Sequence, residues 1–177
     1  NYIGLINKAM DCGYKVIILL GGGNSNDLRV QTQVRVDEGV IGKRSKHLMN
    51  QALGNNNDFG VGKFRDPNLI VNTLTSTEND FSKAAANAQG INLNDVNSPI
   101  IFTIKKNTNI LKNLEEWIRT FHDQVDLEND KRLDLPMLLL DDEADYATPN
   151  SRDTYEEVTR TNELIRKILN LFNKSTY

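Results

Sequence analysis

The sequence predicts an α/β domain with a mainly parallel sheet flanked by helices. Apolar runs of strand length alternate with segments of helical periodicity, the pattern of a sheet covered on both faces. The run from Lys15 to Leu20 is continuously apolar between glycines, as in a strand buried on both sides. The run Leu138-Leu139-Leu140 ends abruptly in Asp141-Asp142-Glu143-Ala144-Asp145, as when a buried parallel strand leaves the core. Carboxylates at such an end sit in the crevice where open α/β sheets bind ligands.

The opening segment places Ile3, Ile6 and Met10 at helical spacing, with Gly13 where a helix should stop, and no capping residue precedes Tyr2. It reads as a helix entered midway, so the chain is expected to be cut from something longer. After the first strand, Gly21 to Gly23 lead to Asn24, Ser25, Asn26 and Asp27, any of which could cap a helix from Leu28 to about Val36. Residues 37–67 lose periodicity and read as a long loop insertion, with a short helix expected near His47 to Leu53 and a basic cluster of Lys43, Arg44 and Lys46. Asn68 to Thr73 is a strand candidate, Asn79 to Ala88 a helix, and Pro99 to Ile104 a third strand. Thr108 or Asn109 opens a helix whose Ile110, Leu111, Leu114, Trp117, Ile118 and Phe121 form one apolar stripe, with Trp117 expected in the core. Pro136 opens the acidic strand. The last helix is expected from about Glu156 to Phe172.

The 177 residues suit one domain, 1–177, with its own core, and 38% hydrophobic with 25% charged residues is ordinary globular composition. No run approaches the ~20 apolar residues of a membrane span. With no secretory signal read at the start and Cys12 as the sole cysteine, a reducing cytoplasmic setting is expected. That count excludes an internal disulfide and a cysteine-based zinc site. His47 and His122 stand far apart without companion ligands. A net charge of −3 argues against a strongly basic duplex-coating protein, though not against a motor that grips one strand through a few contacts.

Asp142 followed by Glu143 suits nucleotide hydrolysis, one carboxylate for Mg²⁺ and the next for the attacking water. A solvated acidic turn or helix cap is the plainer reading of the same letters. The tetrapeptide Asp142 to Asp145 also spells the motif of DEAD-box helicases. Beyond that motif, the sequence resembles the Z-one domain family, which carries an endonuclease label and is similar to helicase-like ATPases of superfamily two from bacterial restriction and defence proteins. The resembling residues are Asn1-Tyr2-Ile3-Gly4-Leu5-Ile6, Gly13-Tyr14-Lys15-Val16-Ile17-Ile18, and Asn26-Asp27-Leu28-Arg29 through Gln31-Thr32-Gln33 to Arg35. They continue with Lys105-Lys106-Asn107, Leu140 to Asp145, and Thr161-Asn162-Glu163-Leu164-Ile165-Arg166.

The resemblance implies a RecA-like P-loop lobe whose first strand and Walker A loop would lie before Asn1, with motif III after Tyr177. It implies ATP and Mg²⁺ as cofactors, with Asp142 holding the metal, Glu143 directing water, and Asp145 tying the nucleotide site to other motifs. Arg29, Gln33 and Arg35 would occupy the place of a nucleic-acid-gripping motif. Lys105, Lys106 and Asn107 would contact nucleic acid or nucleotide, while Asp141 has no assigned role. DNA, a second RecA-like lobe and a nuclease module would be partners. The 177-residue chain by itself is expected to bind ATP weakly or not at all, and not to turn it over. A DNA endonuclease and a non-enzymatic interaction module are the alternatives. The first lacks the Pro-Asp…Asp/Glu-x-Lys arrangement of restriction nucleases: Asp66-Pro67 has the wrong order, and no Lys follows Asp141 to Asp145 at the required position.

Overall fold

The computed structural model describes residues 2–21, 25–45, 60–64, 70–93, 96–121, 131–142 and 152–177, with the backbone alone for 63, 64 and 152–159. The predicted class holds, and the sheet is parallel throughout. Five strands lie in the order β2-β3-β1-β4-β5: β1 (Val16–Leu20), β2 (Asn72–Thr73), β3 (Ile100–Ile104), β4 (Leu133–Asp141) and β5 (Phe172–Thr176). The helices are α1 (Tyr2–Asp11), α2 (Asn26–Val36), α3 (Lys83–Ala88), α4 (Thr108–Arg119) and α5 (Arg152–Asn170).

The three central strands explain the continuous apolar runs. All five residues of β1 and all five of β3 are buried. Successive side chains alternate across the sheet. Val16, Ile18 and Leu20 join Phe102, Met137 and Leu139 on one face, under Ala86 of α3, Trp117 of α4 and Ile168 of α5. Ile17, Leu19, Ile101 and Leu138 face the other way, under Ile6 and Met10 of α1 and Val36 of α2. On the first face Trp117 makes edge-on contacts with Phe81, Phe102 and Phe121, so the expectation that it is a core residue holds.

The connection from β1 runs toward β2 with α2 on one face. Those into β3, β4 and β5 run the opposite way with α3, α4 and α5 on the other face. All four crossovers therefore share one hand, as parallel βαβ units do.

Local signals worked where caps and glycines acted. Gly13 ends α1 at φ +89°, and Ser25 caps α2 by accepting from the Leu28 amide. Ser82 caps α3, which begins later than its expected start at Asn79. β4 begins at Leu133 rather than Pro136, and its register against β5 shifts between Leu133 and Pro136, where a residue without an amide N–H fits best. The short helix expected near His47 to Leu53 falls outside the described residues, as do Asn68 and Leu69 of the strand expected from Asn68 to Thr73, whose Ile70 and Val71 are not in a strand. Of that strand only Asn72 and Thr73 pair.

β5 corrects the reading of the last helix, which stops at Asn170 rather than running to Phe172. In β5 only Phe172 is buried, and the next four residues are exposed. A polar edge strand lacks the apolar run that signals a central one.

Candidate functional site

The C-terminal ends of β3, β1 and β4 form one rim. Leu20 pairs with Ile104 on one side and Asp141 on the other. The Asp142 amide donates to the Leu20 carbonyl at 3.0 Å, and the Gly21 amide donates to the Ile104 carbonyl at 3.0 Å. α2 lies across this rim: a Cβ on Gly21 would stand 2.9 Å from the Thr32 methyl. Beyond Val36 the chain makes a wide π-turn at Asp37–Ile41 that seats on the first turns of α1. There a Cβ on Gly39 would stand 2.6 Å from Ile3, and the Asn7 side-chain amide donates to the Gly39 carbonyl at 2.9 Å. The amino end of α1, the end of β1 and the exit of β4 thus lie around one crevice.

Asp142 stands at this crevice, exposed, with no side-chain hydrogen bond or ion pair to a described residue. Arg35 is also exposed. Its pKa is raised, first by polar contact with the Tyr2 hydroxyl and further by the negative charge of Asp142. Glu143 and Asp145 lie outside the described residues. An exposed carboxylate with no hydrogen bond to a described residue suits Mg²⁺, which keeps several waters and takes one or two carboxylates plus substrate phosphates. Among the described residues no group of three or more His, Cys, Asp or Glu could hold a metal by itself.

The other residues expected to touch nucleic acid are placed differently. Arg29 is wholly buried. Its guanidinium donates to the carbonyls of Ser76 at 2.8 Å and Thr77 at 3.3 Å, and its Nε lies 3.7 Å from an Asp80 carboxylate oxygen. Burial lowers the Arg29 pKa and raises that of Asp80, each against the attraction of the other. Asp80 also accepts from the backbone amides of Phe81 and Lys105. The pair thus ties α2 to the loops that follow β2 and β3.

Gln33 is buried too. Its Nε2 donates to Asp37 at 2.9 Å, and its Oε1 accepts from the Thr75 hydroxyl, which itself accepts from the Thr103 amide. Neither Arg29 nor Gln33 presents a side chain to solvent. Apolar neighbours at helical spacing did not distinguish them from surface residues, because α2 lies on a polar rim.

The lysine turn divides. Asn107 caps α4, its Oδ1 accepting from the Asn109 and Ile110 amides. Lys106 reaches over the end of β1 to an Asp141 carboxylate oxygen at 2.7 Å, and the Tyr177 hydroxyl donates to the same oxygen at 3.1 Å. Lys105 is half-buried, its amide on Asp80. Asp141, left without a role by sequence, is the acceptor that closes the rim. Tyr177 belongs to the site as well, and nothing in its sequence context signals it.

No family model matches the chain, and neither a curated protein nor a solved structure does. Among the described residues no helix is long and apolar enough to cross a membrane.

Proposed function

We propose that this chain is part of the first motor lobe of an ATP-driven nucleic-acid translocase or helicase of the superfamily-two type, from a bacterial defence protein of the Z-one kind. The observation that carries the reading is that Asp142 is held on Leu20 at the rim that α2 crosses, and that the turn following α2 seats on the first turns of α1. Helix amino termini attract phosphates through unpaired amides and the helix dipole. In this reading phosphates lie over Tyr2 and Ile3, Asp142 holds Mg²⁺, directly or through water, and Glu143 directs the attacking water. Positioning and charge stabilisation supply most of the rate in such phosphoryl transfers.

Topology supports a RecA-like arrangement. α1 lies on the same face as α2. By the hand of the other crossovers, a strand feeding α1 would belong beyond β4, at the outer edge of β5. Among the described residues no strand pairs with that edge. A turn leaving such a strand would open over the amino end of α1, where a phosphate-binding loop is needed.

Replacing Glu143 with Gln in the natural protein tests the reading. Nucleotide binding should persist while hydrolysis falls by roughly 10³-fold or more. Turnover at the wild-type rate would remove Glu143 from the chemistry and the motor reading with it. Purified natural protein that nicks supercoiled plasmid with Mg²⁺ through this chain alone would favour the endonuclease alternative instead.

A further inference from the structure

We propose that Lys106 and Asp141 are a positioning pair that fixes the exit of β4, and so the place of Asp142, over the end of β1. The inference rests on the hydrolytic reading of Asp142. Both side chains are nearly inaccessible, at 7% and 3% exposure. An ion pair in such a place gains little net stability, because removing two charges from water offsets most of their attraction, and a well-packed apolar pair often does as well. What the pair supplies is geometry. Lys106 follows β3, Asp141 ends β4, and the contact between them passes over Leu20 of β1. Tyr177, following β5, adds a fourth strand end to the same carboxylate oxygen.

The next residue along is Asp142, whose amide is held by Leu20. Loosening the contact would let the β4 exit rise and fall, and a metal-binding carboxylate misplaced by about 1 Å loses much of its catalytic effect. Lys106 also answers the charge of Asp141, so a cation arriving at Asp142 does not meet two bare adjacent carboxylates.

The test separates positioning from simple stability. The double substitution Lys106→Met with Asp141→Leu removes both charges and leaves neither orphaned. Should it fail to fold, Lys106→Ala with Asp141→Ala, which likewise removes both charges and the contact, serves in its place. In the natural protein, amide hydrogen exchange at Asp142 and Gly21 should rise about tenfold, with Ile18 and the urea midpoint unchanged. Hydrolysis of Mg-ATP should show kcat reduced about tenfold at constant KM. Restoring the pair as Lys106→Arg against wild-type Asp141 should recover both. Unchanged exchange at Asp142, or faster exchange with unchanged kcat in an active protein, would overturn the proposal. Wild-type protein that hydrolyses no nucleotide would overturn the functional reading instead, and the exchange result would then decide the pair by itself.

Discussion

At the scale of single residues, four polar groups that the sequence assigned to ligands, Arg29, Gln33, Lys106 and Asn107, are engaged inside the fold. Asp37, the partner of Gln33, shows the cost of burying such groups. Its carboxylate accepts from Gln33 and from both the amide and the hydroxyl of Ser45. Burial nevertheless raises its pKa, outweighing those bonds and the charge of Arg44. A carboxyl whose folded pKa lies above its unfolded value binds a proton more tightly in the folded state. Its favourable contribution is present at low pH and is lost as pH climbs from the unpaired value of 3.8 through the raised one. Asp80 acts in the same direction. Comparing wild type with Asp37→Asn by urea unfolding at several pH values should show the wild-type advantage shrinking as pH rises across that window. An advantage that grows with pH would mean the bonds to Gln33 and Ser45 outweigh burial. None of this was legible beforehand, since a buried Asp and an exposed one look alike in sequence. The end of β4 beside Asp142 was legible because Leu138-Leu139-Leu140 give way to Asp141, and the end of an apolar run marks the end of a strand.

Among the elements, legibility followed burial and capping. β1 is apolar at every position and β3 at all but Thr103, and both were placed almost to the residue; α4 announced itself through one apolar stripe, while its cap, Asn107, was expected as a nucleic-acid contact. β2 was expected as a longer strand, Asn68 to Thr73, of which only Asn72 and Thr73 pair, and β5 escaped because an exposed edge strand carries no apolar run of its own. The long insertion kept one feature that sequence could only hint at through its glycines. The returning turn, Val61–Phe64, lies against the departing π-turn. Gly60, at φ +66°, would place a Cβ 2.5 Å from the Glu38 carbonyl, and Gly62 one 2.6 Å from the Gly42 amide. Gly60→Ala would meet both backbone strain and collision, so we expect a loss of roughly 1–3 kcal/mol in urea unfolding. A neutral result would show that the two turns separate freely.

For the whole molecule, the decisive feature is asymmetry between the two edges of a sheet that is parallel throughout. At one edge β2 is two residues long, too short to recruit another chain. At the other, β5 offers five residues whose side chains after Phe172 are exposed, including Lys174. Among the described residues nothing pairs with the outer edge of β5, and a charge on such an edge discourages edge-to-edge association. Lys174→Val should therefore raise light scattering of concentrated protein without moving the urea midpoint, and equal scattering would show that the edge is already covered. The sheet class was readable from the sequence because burial on both faces demands apolar runs. Strand order was not, since nothing in a run of leucines says which neighbour it will take.

The contact between the π-turn and the turn at Val61–Phe64 has one more consequence. Ser45 and Gly60 belong to stretches that meet on the body of the domain, so the chain between them begins and ends at nearly the same place. Closing a longer link between fixed ends costs only about 0.6 kcal/mol for each doubling of length. Ser45 and Gly60 are thus anchored on neighbouring residues of one turn, Asp37 and Glu38, and a sequence lengthened between them is expected to leave the register of the sheet unchanged, which the urea midpoint of such a variant would check.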